Sequence, residues 1–217
     1  MLIDWLNSAA FNSFGAPTTW AEVLGFAAGA ATVYLVARQV VWNWPVGILN
    51  AVLWIVLFAT AGLFADSALQ VVYIALGLWG WWQWLHGGRD RTPLPVSRTT
   101  RRQWRWLAVA GVVGTVAMTV FLDRLTSSTV PLPDAVTTVL SLLATWGQCK
   151  KKLESWLLWM TADVIYVPLY QYKSLTLTAI LYVGFFVLCV LGFVGWRRDL
   201  ATGDRSEPLT LPQRVAT

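Results

Sequence analysis

Five side chains in one short stretch could together grip a small flat molecule: Trp156, Trp159, Asp163, Tyr166 and Tyr170. Successive gaps of three, four, three and four residues put all five on one face of an α-helix. Two indoles a turn apart can hold a heteroaromatic ring, and a cationic ring would gain about 0.5–2 kcal/mol more from cation–π attraction. Trp156, at the mouth of its apolar stretch, could instead be an interface anchor. Asp163 stands about two turns inside that stretch, which offers it no cation. An ionised carboxylate there needs a counter-charge, a donor network or water. It could accept from sugar hydroxyls or balance a cationic ligand. Protonated or capped, it could equally hold two helices together.

Three further stretches carry stripes with the same rhythm. One has Asp66, Gln70, Tyr73 and Gly77, another Asn43, Gly47, Asn50 and Trp54, and a third Thr138, Ser141, Thr145 and Gln148. Any single stripe could serve as interhelical glue. Four together point to a lined cavity. No nucleotide-binding loop, zinc-hydrolase motif or Ser-His-Asp arrangement is present, and no nucleophile–base pair is visible. Neither ATP coupling nor enzymatic activity is therefore expected. The single histidine, His86, gives little basis for a proton relay. Cys149 and Cys189 lack metal-ligand spacing, so neither a zinc site nor a cofactor is expected.

Elements that could position these stripes follow from composition. The chain has 217 residues, of which 57% are hydrophobic and 12% charged, about half the charged share of a soluble domain. Fifteen tryptophans suit aromatic belts and a stacking pocket. Seven segments approach the roughly 17–25 residues that a helix needs to cross a bilayer: 20–37, 44–63, 68–86, 104–122, 132–149, 156–172 and 175–196. The expected architecture is an all-α integral membrane protein with seven transmembrane helices. Residues 1–19 form an external interfacial helix or arm without signal-peptide character, 87–103 a basic loop and 197–217 a polar tail. Gly25 and Gly29 form a GxxxG pattern that suggests a close helix contact and not a ligand site. Trp79, Trp81, Trp82 and Trp84 read as belt residues. Pro168, inside the sixth segment, permits a kink.

Basic residues orient the spans. Arg38, Arg89, Arg91, Arg98, Arg101, Arg102, Arg105, Lys150, Lys151, Lys152, Arg197, Arg198, Arg205 and Arg214 all fall on one side if there are seven helices. Only Arg124 and Lys173 fall opposite, so 14 of the 16 basic residues share a face. The positive-inside rule then puts the N-terminus outside and the C-terminus in the cytoplasm of an inner membrane. The net charge of +5 resides in these loops, next to anionic lipid, and does not indicate nucleic acid.

The chain also repeats itself. A shift of 112 residues aligns Trp44 with Trp156, Val52 with Val164, Leu57 with Leu169, Leu63 with Leu175, Leu69 with Leu181, Gly80 with Gly192 and Trp84 with Trp196. It also sets Glu22 on Asp134 and Arg38 on Lys150. This reads as two three-helix bundles, 20–86 and 132–196, joined by the linker helix 104–122. An odd linker makes the repeat parallel, and such symmetry commonly sets the substrate between the bundles.

The motifs W-N-W-P-V-G-I-L-N (42–50), G-L-F-A-D-S-A-L-Q-V-V-Y (62–73) and G-W-W-Q-W (80–84) resemble the PnuC family of vitamin transporters. So do K-K-K-L-E-S-W-L-L-W-M-T-A-D-V (150–164), S-L-T-L-T-A-I-L-Y (174–182) and G-F-V-G-W (192–196). The resemblance runs from Trp20 to Trp196. It implies a 3+1+3 arrangement related to the SWEET transporters, a possible homotrimer, and facilitated diffusion of nicotinamide riboside. Net uptake would come from phosphorylation inside the cell. It maps the family's ligand site onto Trp156, Trp159 and Asp163. The stripes and the repeat extend the substrate-binding set to Tyr166, Gln70, Tyr73, Asn50, Gln148 and Tyr182. Some relatives carry Asn near position 163, and others carry thiamine or riboflavin. Asp163 suits the cationic rings of nicotinamide riboside and thiamine better than neutral riboflavin. A substrate-capture subunit of an ATP-driven importer is a further alternative.

Overall fold

Apolar runs bounded by turn residues wind into helices wherever water cannot satisfy the backbone. The computed structural model contains seven long helices: α1 (Trp20–Ala37), α2 (Asn43–Thr60), α3 (Phe64–His86), α4 (Arg101–Leu125), α5 (Pro131–Cys149), α6 (Ser155–Tyr172) and α7 (Thr176–Gly203). It describes residues 5–6, 8–13, 16–60, 64–126, 129–172 and 176–203. Lys173, Arg205, Arg214, the repeat pair Leu63 and Leu175, and the tail beyond 203 lie outside these, as do the side chains of Glu22 and Leu57. The shortest helices have 18 residues, about 27 Å at 1.5 Å per residue, close to the thickness of a hydrocarbon core.

Local chemistry explains several boundaries. Thr100 and Gln103 cap each other's backbone N–H groups in a capping box that starts α4. Pro131 opens α5, where the missing N–H leaves no helix bond unmade. Pro45 lies in the first turn of α2 for the same reason. Ahead of α1, β1 (Ala9–Ser13) and β2 (Ala16–Thr19) pair antiparallel. The interfacial arm expected over 1–19 is thus, over these residues, a hairpin and not a helix. At the other end α7 continues to Gly203, seven residues beyond the expected limit at 196.

Helix α1 packs on α2 and α7, α3 on α2 and α5, and α6 on α5 and α7. Helix α4 packs chiefly on α5, has no buried residue, and exposes Val109, Val112, Val113, Val116 and Val120. Leu49, Val52, Phe64, Val71 and Leu78 are exposed as well. An apolar exterior of this extent fits lipid as its solvent.

The core lies at the end of the bundle that carries the basic connections. There Trp44, Trp84, Trp156 and Trp196 interlock. Trp44 meets Trp84 edge-on at 5.4 Å, Trp156 meets Trp196 likewise at 5.4 Å, and Trp84 and Trp196 lie 6.1 Å apart. Trp84 is 3% exposed, which corrects its reading as a belt residue. Its indole N–H donates to the Gln148 carbonyl at 2.8 Å. Trp79 and Trp81 also pack on this cluster, whereas Trp82 is exposed. Trp156 is fully buried, so it is no interface anchor.

Candidate functional site

Above the tryptophan cluster, a cavity of about 490 Å³ runs between the helices, within the usual range for small-molecule sites. Helix α6 brings Trp156, Trp159, Asp163, Tyr166 and Tyr170 to it, the whole stripe. Helix α2 brings Asn43, Gly47, Asn50 and Trp54, and α3 brings Gln70, Tyr73 and Gly77. From α5 come Ser141, Thr145 and Gln148, and from α7 comes Tyr182. All nine residues of the expected substrate-binding set therefore lie on one wall or another of a single chamber. Two stripe members do not line it. Asp66 is exposed in the first turn of α3, and Thr138 is turned away from the chamber. The neighbouring Thr137 is the residue that lies near Tyr166, its hydroxyl donating to the carbonyls of Pro133 and Asp134.

The two ends of the chamber differ chemically. Toward the hairpin, Tyr166, Tyr170 and Tyr182 stack within 4.6–5.4 Å of one another, and Phe185 caps Tyr182 edge-on at 5.5 Å. The Ser141 hydroxyl lies near both Tyr73 and Tyr166, so α5 adds a polar group to this wall. Toward the tryptophan cluster the walls are indoles. The N–H groups of Trp44, Trp156 and Trp159 are buried without a hydrogen-bond partner in the protein, as is the Asn50 Oδ1. Buried polar atoms are seldom left unpaired. All four belong to side chains that line the cavity, so a small shift of these side chains would present donors and an acceptor to a ligand.

Asp163 is 2% exposed, and its partner is the Cys189 thiol, which donates to Oδ2 at 3.6 Å. A thiol is a weak donor, so most of the carboxylate's acceptor capacity stays available. This contact joins α6 to α7, as the structural reading of Asp163 requires. Asp163 also faces the chamber, as the ligand reading requires.

Sequence reasoning overlooked much of α1 and α7. Phe26 and Gly25 from α1, and Phe185 and Cys189 from α7, line the chamber. The 112-residue shift held the signal, because Tyr73 falls on Phe185 and Gly77 on Cys189. The GxxxG pair also has another role than a helix–helix seam. Trp54 lies against Gly25, where a Cβ would come within 2.4 Å of the ring, and Phe185 faces Gly29. The missing side chains make room for rings of the chamber wall.

Below the cluster, two matching corners join α1 to α2 and α5 to α6. Gln39 and Lys151 both have positive φ, 55° and 45°. Each donates its backbone N–H three residues back, to Val36 at 2.9 Å and to Gln148 at 3.0 Å. Burial pushes the Lys151 ammonium below the ordinary lysine range, and Asp199 pulls it partly back. The second corner is strapped from outside by residues 97–99. Ser97 and Leu153 share a backbone bond at 2.9 Å, and Thr99 donates twice to Glu154 Oε2, at 2.7 and 2.8 Å.

The chain is similar to known membrane transporters. The riboflavin/roseoflavin transporter RibM of Streptomyces davaonensis is 31% identical over 207 residues, 91% of this chain and 95% of that one. The nicotinamide riboside transporter PnuC of Escherichia coli is 25% identical over 201 residues, 78% and 81% of the two chains. The crystal structure of the vitamin B3 transporter PnuC superposes with a TM-score of 0.67 at 24% identity, covering 84% of this chain and 83% of that one, a likeness of fold. The family profile described as nicotinamide mononucleotide transporter matches residues 19–198. With seven helices, an apolar exterior and that match over most of its length, the chain belongs to the nicotinamide mononucleotide transporter family, that of PnuC, and is a multi-pass membrane protein.

Proposed function

We propose that this chain carries a flat heteroaromatic vitamin with a hydroxylated side chain across the inner membrane by facilitated diffusion. The observation that carries this reading is the ring-walled chamber between the helices, with unpaired indole donors at one end. Riboflavin is the first candidate. The relative that matches 95% of its own length here is a riboflavin transporter, and the carbonyl-rich flavin ring suits N–H donors. Nicotinamide riboside is the second, because Asp163 could balance its cationic ring. Thiamine shares that feature.

The architecture behind this reading is a parallel 3+1+3 repeat, SWEET-like, with α4 as linker. Its support is the recurrence of contacts at a spacing of 112 residues. Trp84 donates to the carbonyl of Gln148, and Trp196 donates to that of Val36. Trp44 fills the space at Gly80 as Trp156 does at Gly192. Seven spans put the basic connections in the cytoplasm and the hairpin outside. Net uptake would come from phosphorylation of the vitamin inside the cell. Assembly as a homotrimer would show as the mass of three chains in detergent-corrected light scattering, and a monomer mass would refute it.

Purified protein should bind one of the three vitamins saturably and exchange it across liposomes without ATP or an ion gradient. Transport only in company with a co-purifying energising complex would instead make this chain a capture subunit. Asp163→Asn separates the candidates. Losing a charge-assisted contact should weaken nicotinamide riboside about tenfold or more, while riboflavin changes only a few-fold. Equal losses for both would make Asp163 a structural carboxyl.

A further inference from the structure

We propose that Lys151 is the latch of the cytoplasmic gate, its ammonium tying the α1–α2 corner to the α5–α6 corner beneath the four tryptophans. The proposal rests on the carrier reading, since only a carrier that opens alternately needs a gate at this end.

The floor of the chamber is the interlocked set Trp44, Trp84, Trp156 and Trp196. Two of these indoles also tie the halves by hydrogen bonds, Trp84 to the Gln148 carbonyl and Trp196 to that of Val36. Lys151 adds the charged tie, and it joins the two corners themselves. Its Nζ lies 4.4 Å from the Trp84 ring centroid, in cation–π range, and donates to Gln39 Oε1 at 3.2 Å. The Gln39 amide in turn donates to Asp199 Oδ2 at 2.6 Å. One chain of contacts thus runs from α5–α6 through α1–α2 to α7.

Three features set Lys151 apart from an ordinary surface lysine. It is 7% exposed. Its backbone is left-handed, a conformation disfavoured for a side-chain-bearing residue and kept only where surroundings impose it. Its counterpart 112 residues earlier is Gln39, so the two latch partners are the same position of the two halves, facing each other. The halves are nevertheless unequal. The corner holding Lys151 is pinned by the strap through Ser97 and Thr99. The corner holding Gln39 has the Asp199 contact in its place. Opening should therefore swing the α1–α2 corner away from a fixed α5–α6 corner, breaking the Lys151–Gln39 bond.

Cys189, two turns above Trp196 on α7 and inside the chamber, reports the gate without any vitamin. In a Cys149→Ser background, a membrane-impermeant methanethiosulfonate applied to inside-out vesicles should modify Cys189 slowly. Lys151→Met and Gln39→Leu should each raise that rate about tenfold, the effect of losing one hydrogen bond to a charged group. Lys151→Arg should stay within about twofold of the parent, because it keeps the charge and the donor. Unchanged or absent modification in both Lys151→Met and Gln39→Leu overturns the latch. Failure of all three vitamins to bind would sink the carrier reading and leave the labelling result standing.

Discussion

Trp159→Ala should abolish saturable vitamin binding while expression and folding persist. The indole is half-buried, with one side against the tryptophan cluster and the other on the chamber. Stacking of a heteroaromatic ring on an aromatic side chain is worth about 1–3 kcal/mol, roughly tenfold to hundredfold in affinity. Trp159 also supplies one of the unpaired N–H donors, and its loss leaves a ligand acceptor unmatched. The fold survives because the deleted ring borders space that is already open. Calorimetric titration together with a thermal melt checks this. Retained affinity would show that the ring is packing.

Gly192→Ala and Gly80→Ala form the second large effect, this time on stability. A Cβ at 192 would lie 2.5 Å from the Trp156 ring, and one at 80 would lie 2.3 Å from that of Trp44. Neither ring can step aside, because Trp196 and Trp84 stand edge-on against them. Overpacking of this kind costs about 1–3 kcal/mol, or about 2–4 °C of melting temperature per kcal/mol for a chain of this size. Gly192→Ala should also weaken ligand binding, since Trp156 is a chamber wall. Gly184→Ala is the control: nothing lies within 4 Å of its added Cβ, and its melt should match the parent. Equal melting of all three variants would mean that the tryptophan set is loosely packed.

These expectations also show where sequence reasoning succeeds. The stripes on α2, α3, α5 and α6 were legible because a polar side chain in an apolar helix must avoid lipid. The wall from α7 was mostly hidden, since Phe185 is as apolar as the lipid-facing Val183 and Val187 beside it. Trp84 was misread for a related reason. Tryptophan favours both belts and cores, and four of them in 79–84 give no sign of which turns inward.

By itself the order of residues determined the number of helices, most of their limits and which faces carry polar groups, because span length and the cost of polar atoms in hydrocarbon are local matters. Tertiary structure alone decided which apolar rings face the chamber, that four tryptophans close one end of it, and that Lys151 reaches Gln39 across 112 residues. In lipid an apolar side chain is tolerated inside and outside alike, so hydropathy is silent on that choice and only the packing of one helix on another makes it.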